Sequence, residues 1–521
     1  MSTRNSLFSL GGIILLLVLS IIFIPKLFPS NQTSQPSYYP TEAWKTSTPE
    51  EQGLDSEKLA EGLQEIKEYQ IPIHSLFVVR NGSVVLDAYF YPYDGKTVHD
   101  LASVTKSVMT TLIGIAIDQG KLDLDQKVLS FFPDRTIANF DSRKENITIH
   151  HLASNSNGFE SGCLVGDPEE NNKMRTSPDW VQYALDRKMV AEPGESFCYD
   201  SPGIHLLSAI LEKSTGMNTL DFAKQYLFGP LGITELAWNS DPQGYTIGSG
   251  DLYLKPADAA KLGFLWLYQG AWEGDQIVSK KWMEEATKAQ VTTGDDEDYG
   301  YGMWISEDGF AAHGRGGQNI FVLPPINALV VSTGNGLEFD DVDPYLTAAF
   351  LDPENPLPPN PEGVAKLNET VSGLLQPPAP QPVGELPETA KTISGKTYVF
   401  GENPLEVETV SLEFNDTDEA LFHLKFFGSD ETETWSVGLD GVYRMSPGNG
   451  DLPQGLYGYW LDPQTFILVI DEIANNHLYT YRLIFDEDSL VIENADLGIR
   501  IEGQVQINLY FDSEPSVRII L

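Results

Sequence analysis

Ten of the chain's 33 prolines fall between positions 353 and 387, in runs such as Pro-Leu-Pro-Pro-Asn-Pro. Each proline fixes φ and lacks an N–H, so neither a helix nor a central strand can run through such a stretch. The fold must therefore be assembled from separate pieces on either side of an extended linker, residues 353–388. Between the two proline clusters, residues 364–375 have room for one short helix. About 310 residues (46–352) precede the linker and about 130 (389–521) follow it, ordinary sizes for separate domains.

A second discontinuity lies at the N-terminus. Residues 7–24 are eighteen uncharged positions rich in Leu and Ile, with Arg4 before them and Lys26 after. That length just reaches a bilayer's hydrocarbon span, and the flanking charge predicts the short N-terminal side inside. Residues 1–30 are thus expected to anchor the protein in a membrane with its body outside the cytoplasm. The alternative is a signal sequence whose cleavage releases a secreted protein. No small-x-small pair follows the run, where Ile24, Pro25, Lys26, Leu27 and Phe28 stand, so the anchor is preferred. Residues 31–45 read as a polar tether.

Hydrophobic residues at 41% and charged ones at 21% exclude wholesale disorder. Seventy-five Asp and Glu against 33 Lys and Arg leave a formal charge of −42, a field that repels phosphate backbones and argues against a nucleic-acid partner. Only two cysteines, Cys163 and Cys198, exclude a disulfide-built scaffold and a four-thiolate zinc site. The eight histidines show no His-Glu-x-x-His spacing, and neither a metal nor a cofactor is implied.

Within the body, residues 75–90 read as two strands about Asn81-Gly82, the strongest short hairpin signal. From 103 to 119 the pattern turns helical, with Val104, Val108, Leu112 and Ile115 at three- and four-residue steps and Gly120 at the C-terminal cap. Further helices are expected at 179–186, 203–214, 220–226 and 256–268, and strands return over 321–331. Strands at both ends of a helical middle predict an α+β domain, an antiparallel sheet flanked by helices. Residues 389–521 show successive short strands, for instance 407–414, 422–427, 466–470 and 478–485, which predicts a small all-β sandwich or barrel.

Three short segments carry candidate chemistry. Ser103-Val104-Thr105-Lys106 opens the first helix. Positions i and i+3 share a helix face, so hydroxyl and amine can meet where backbone N–H groups favour developing negative charge. Phe197-Cys198-Tyr199-Asp200-Ser201 runs into a second helix, and Tyr199 is a candidate base if a nearby lysine eases loss of its proton. Ala312-His313-Gly314-Arg315-Gly316-Gly317-Gln318 precedes a strand, and its glycines allow close approach to substrate.

Taken in order, these segments resemble the serine β-lactamase and penicillin-binding superfamily. The nearest likeness is to its class C-like hydrolases, the family VIII esterases and 6-aminohexanoate-dimer hydrolases. The resemblance spans roughly residues 44–334 and extends to Ile73-His74-Ser75-Leu76-Phe77-Val78-Val79-Arg80-Asn81-Gly82, His99-Asp100-Leu101-Ala102-Ser103, Gly248-Ser249-Gly250-Asp251-Leu252-Tyr253 and Tyr299-Gly300-Tyr301-Gly302-Met303-Trp304. It implies Ser103 as acylated nucleophile, with Lys106 and Tyr199 as its proton-transfer partners. It further implies an oxyanion hole from the N–H groups of Ser103 and Arg315, with His313, Gly314 and Gly316 against substrate. Two departures weaken the lactamase and D,D-peptidase readings: Ser201 stands where penicillin-recognising members carry Asn, and Ala312 where they carry Lys. Outside the cytoplasm Cys163 and Cys198, flanking this site, are expected to form a disulfide.

The expectation is a serine hydrolase that cleaves an ester or amide bond of a small or peptide-like substrate. The alternative keeps the fold without turnover, as a sensor occupied by cell-wall fragments.

Overall fold

The computed structural model describes residues 36–161, 168–415, 418–447, 452–475, 477–486, 488–495 and 498–505. The expected anchor and Cys163 lie outside the described residues. Among the described residues, no helix is long and apolar enough to cross a membrane. The chain divides into two compact units. One runs to Tyr89 and resumes from Val98 to Leu374; the other joins Phe90–Thr97 to the residues from Leu375 onward.

The first unit is built on a seven-stranded antiparallel sheet. Its strands are β1 (Ile73–Arg80), β2 (Ser83–Tyr89), β3 (Asp298–Tyr299), β4 (Trp304–Ile305), β5 (Phe310–Gly314), β6 (Gln318–Leu323) and β7 (Ala328–Gly334). Their spatial order is β2-β1-β7-β6-β5-β4-β3, so the N-terminal hairpin docks beside the last strand. Asn81 and Gly82 both take positive φ, at 47° and 80°, which the tight hairpin turn requires. Its principal helices are α1 (Ser56–Glu68), α2 (Val104–Asp118), α3 (Pro168–Arg175), α4 (Ser201–Thr215), α5 (Pro256–Leu267) and α6 (Pro361–Leu374).

Every residue of β1 is buried because both faces of the strand are covered. Leu76 lies with Leu59, Leu63 and Ile66 of α1. Phe77 belongs to the main core, where Trp44 meets it and Phe264 edge-on. α2 is buried from Val104 to Ala116 and is thus a core helix, apolar on nearly every side.

Three expectations are corrected. The strands expected over 321–331 are β6 and β7, which reach beyond those bounds on both sides and are parted by the turn Pro324–Ile326, because Pro324-Pro325 cannot extend a hydrogen-bonded ladder. The described part of the tether is packed rather than free. Trp44 Nε1 donates to the Ala257 carbonyl at 2.9 Å, and Tyr39 packs on Phe264 and Trp272. The helix within the linker also packs, against α1, with Lys67 Nζ on the Gly373 carbonyl at 2.8 Å. The first unit therefore extends to Leu374 rather than 352.

The second unit settles the choice between sandwich and barrel. Its strands are β8 (Thr397–Phe400), β9 (Val407–Phe414), β10 (Glu419–Phe426), β11 (Glu433–Gly438), β12 (Arg444–Pro447), β13 (Pro453–Asp462), β14 (Thr465–Glu472), β15 (His477–Asp486), β16 (Ser489–Asn494) and β17 (Ile499–Val505). They follow one another antiparallel in the order β11-β10-β9-β8-β17-β16-β15-β14-β13-β12. Gly438 of β11 then pairs with Tyr457 of β13, in parallel, and closes the barrel. A ninth strand reached by antiparallel steps must run the same way as the first, so a parallel closure is required. Alternate residues point inward, as in β16, where Leu490 and Ile492 join the barrel core. The short helix α7 (Glu388–Ile393) adds Ala390 and Ile393 to that core.

Candidate active site

Ser103 stands at the N-cap of α2, yet its hydroxyl makes no capping hydrogen bond. The residue before it, Ala102, is held at φ 46°, a left-handed conformation that an alanine adopts only under local constraint. The Asp100 carboxylate helps impose it by accepting from Ala102 N–H at 2.9 Å. The hydroxyl thereby faces Lys106, one turn along, whose Nζ lies 2.9 Å from Ser103 Oγ. A second bond, Nζ to the Ser249 carbonyl at 2.8 Å, comes from the Gly248-Ser249-Gly250-Asp251 turn and fixes the amine. Lys106 is 1% exposed. Burial, aided by the charge of Arg175, pushes it down to about 7, with Asp200 and Asp251 opposing.

Tyr199 completes the cluster. Its hydroxyl hydrogen-bonds with Ser103, and Lys106 Nζ sits 4.9 Å from its ring centre. The indole of Trp304 stacks on the phenol at 5.9 Å, and Tyr299 packs edge-on beside it. This apolar surround pushes the phenol up to about 12, against the small lowering effect of the serine bond. A phenol primed to lose its proton is thus not what the environment favours at rest; the lysine is the group brought toward neutrality.

The position of Tyr199 is locked from behind. Asp200, 1% exposed, receives both arms of Arg187, at 2.6 and 2.9 Å, and Asn157 Nδ2 at 2.8 Å. Arg187 lies over the ring of Phe159. Cys198 N–H donates to the Asn155 carbonyl at 2.8 Å and Asp200 N–H to Asn155 Oδ1 at 3.2 Å. Cys198 is itself buried. Its expected partner, Cys163, is outside the described residues.

The third segment forms the tight connection between β5 and β6, with Gly314 paired to Gln318. Gly316 and Gly317 take φ 83° and 89°, which makes the turn possible. Gly314 serves a different need. A Cβ there would fall 2.6 Å from the Leu101 carbonyl and 3.1 Å from Ser103 N, so only glycine lets this strand edge lie against Ser103. Arg315 follows at the exposed tip. His313 is engaged by its own neighbours, Nδ1 with Asn319 Oδ1 at 2.7 Å and Nε2 with Glu297 at 3.5 Å.

Ser103, Lys106, Tyr199 and Gly314 are therefore brought together. Sequence reasoning missed three contributors. Ser249 acts through its carbonyl, which no side-chain motif announces. Arg175 of α3 pairs with Asp251 at 2.5 Å beside the lysine. Arg187 braces Asp200 from thirteen positions away, and nothing in the local pattern marks a buried ion pair.

A serine on a buried helix start, a lysine bonded to it and a glycine-lined strand edge together form the candidate centre of a serine hydrolase. The chain belongs to the Beta-lactamase family, whose model matches residues 56–351. Within that family it is a serine hydrolase. It is similar to the 6-aminohexanoate-dimer hydrolase of Paenarthrobacter ureafaciens, 25% identical over 281 residues, which cover 49% of this chain and 71% of that one. It is also similar to the lovastatin esterase of Penicillium rubens, 28% identical over 31% of this chain and 45% of that one. Among solved structures, a putative 6-aminohexanoate-dimer hydrolase from Bacillus anthracis shares the fold with a TM-score of 0.50. It is 18% identical, over 62% of this chain and 90% of the other.

Proposed function

We propose that the protein hydrolyses ester or amide bonds of small substrates through a covalent acyl-enzyme on Ser103. The observation that carries this reading is the 2.9 Å bond between Ser103 Oγ and a buried lysine pushed down to about 7. Neutral Lys106 takes the hydroxyl proton as Oγ attacks the carbonyl carbon. Tyr199, protonated and bonded to the same oxygen, relays a proton to the leaving group and, in the second half-reaction, orients the attacking water. The N–H groups of Ser103 and Arg315 hold the oxyanion, the former at a helix N-terminus and the latter one residue past Gly314. Hydrolysis of the acyl-enzyme then restores the serine.

Ala312 is fully buried and offers no cation for a substrate carboxylate, which favours esters and amides over β-lactams. The N-terminal apolar run supports placing this centre outside the cytoplasm on a membrane anchor, where Cys198 would pair with Cys163.

The test offers p-nitrophenyl esters, a chromogenic cephalosporin and an aminohexanoate dimer, with intact mass recorded alongside turnover. The expected result is ester or amide turnover with a transient acyl adduct, both lost in Ser103→Ala. Unchanged hydrolysis in Ser103→Ala overturns the mechanism. A stable adduct without turnover would establish the sensor alternative, and the cephalosporin as best substrate would overturn the discount placed on Ala312 and Ser201.

A further inference from the structure

The barrel of the second unit is packed at one end and hollow at the other. Phe414, Trp460, Phe466 and Phe485 fill the packed end with interlocking rings. Two pairing positions along β14 from Phe466 the filling stops. A cavity of about 290 Å³ opens between Val407, Leu424, Leu468, Ile470, Leu483 and Ile492. Its volume is nearly twice the roughly 150 Å³ of an apolar cavity known to stay dry and accept benzene, and it reaches the lower edge of small-molecule sites at about 300 Å³. Close-packed interiors rarely leave such a void, and this sequence demonstrably has the aromatic residues to fill a barrel.

The wall is not uniformly apolar. Gln454 of β13 is 6% exposed, and its Nε2 is buried without a hydrogen-bond partner among the described residues. A buried amide donor left unmet is costly, so its presence on a cavity wall points to an acceptor that arrives with a guest. The same wall includes Glu472, directly opposite Gln454 in the ladder. That carboxylate is held by Asn475 Nδ2 at 3.1 Å and His477 Nδ1 at 3.3 Å. An anionic head group beside Glu472 would be repelled, whereas a neutral hydroxyl or ether oxygen would accept from Gln454 without that cost.

We propose that the barrel is a binding site for a neutral single-chain amphiphile, its acyl or alkyl chain in the apolar hollow and an uncharged oxygen on Gln454. The site is separate from Ser103 in sequence and chemistry, and the proposal does not depend on the hydrolase reading.

The experiment uses the full chain and a non-hydrolysable probe, 1-O-decylglycerol bearing a diazirine at the chain end. Labelled peptides are mapped by mass spectrometry after irradiation. The expected label falls on β9, β10 and β13–β16, is displaced by unlabelled 1-O-decylglycerol, and resists decanoate at ~10-fold higher concentration, a factor set by one repulsive charge contact. Ile470→Trp, which fills the hollow, is expected to lower labelling ~10-fold or more. Leu424→Phe narrows the hollow more gently and is expected to lower it less, with thermal unfolding confirming that each variant is folded. Gln454→Leu is expected to weaken displacement by decylglycerol about fivefold, one hydrogen bond's worth, while leaving a diazirine-tagged decane unaffected. Ser103→Ala leaves the pattern unchanged. Equal labelling in folded Ile470→Trp and Leu424→Phe, or label scattered over the surface, overturns the site. Decanoate competing as well as decylglycerol overturns the assignment of a neutral head group.

Discussion

Around Ser103 in the first unit, polar groups drawn into the interior meet one another. Arg187 clasps Asp200 with two bonds, Asn157 adds a third, and Lys106 Nζ is hydrogen-bonded with both Ser103 Oγ and the Ser249 carbonyl. In the barrel, Gln454 Nε2 and Asp471 Oδ1 are buried with no hydrogen-bond partner among the described residues, the former beside the cavity. Both regions hold buried polar atoms in an apolar setting. In the first the charged groups are all paired, although Asn155 Nδ2 in the brace behind Tyr199 is buried with no partner among the described residues. In the second the unpaired amide faces a cavity, as the proposed guest would require.

The largest effect expected is on turnover. Ser103→Ala should lower ester hydrolysis by roughly 10⁴-fold or more, while labelling of the barrel persists. If barrel labelling falls with activity, the two regions are not independent. Next comes the proton inventory of the centre. In the proposed mechanism neutral Lys106, held down to about 7 by burial, is the base, so kcat/KM should rise with pH through about 7 and then level. Lys106→Arg should lose this limb and about 10²- to 10⁴-fold in rate. A rise centred in the carboxylate range instead would point to another base.

The brace behind Tyr199 is expected to matter for stability. Arg187→Met leaves Asp200 charged and unpaired and should cost about 3–5 kcal/mol, most of it recovered when Asp200→Leu is added. Denaturant unfolding of the single and double variants makes that comparison.

The barrel's own buried carboxylate behaves oppositely. Burial raises Asp471 to about 7, with the Tyr443 bond lowering it and Glu472 raising it. The folded unit therefore holds the proton more tightly than the unfolded chain. Stability from this group is fully present below the unfolded value near 4 and declines as pH rises through about 7. Calorimetry should show the barrel's transition several degrees higher at pH 5 than at pH 8, and Asp471→Asn should flatten the difference. Smallest of all is the price of removing side chains next to empty space. Leu112→Ala in α2 should cost about 2–5 kcal/mol, whereas Ile470→Ala should cost less than about 2, since one side of Ile470 already lacks neighbours. Equal costs would mean that the hollow collapses around the missing atoms.

Much of this was legible in the sequence where the cause is local. Asn81-Gly82 specifies its hairpin through two positive φ angles, and a serine three residues before a lysine places both on one helix face. The strand, helix and strand succession was readable from periodicity alone. What escaped depends on contacts distant in the chain. The aromatic residues of the tether look like linker until Phe264 and Trp272 appear beside them. The helix inside the proline-rich stretch looks isolated until α1 accepts it. At the site, the order of proton affinities between Lys106 and Tyr199 is decided by Trp304, Tyr299 and Arg175, none of them near either residue in sequence. Whether the C-terminal strands close or stack depends on a single parallel pairing, Gly438 with Tyr457.

The second unit also has a timetable. It includes Phe90–Thr97 as well as the C-terminal strands, and Tyr91 packs against Tyr443. On the ribosome those two rings emerge about 350 residues apart, on the order of tens of seconds at ordinary synthesis rates. Through that interval the early strip must wait beside a body whose strands can already pair. A chain truncated before Tyr443 would leave Tyr91 without the ring on which it packs.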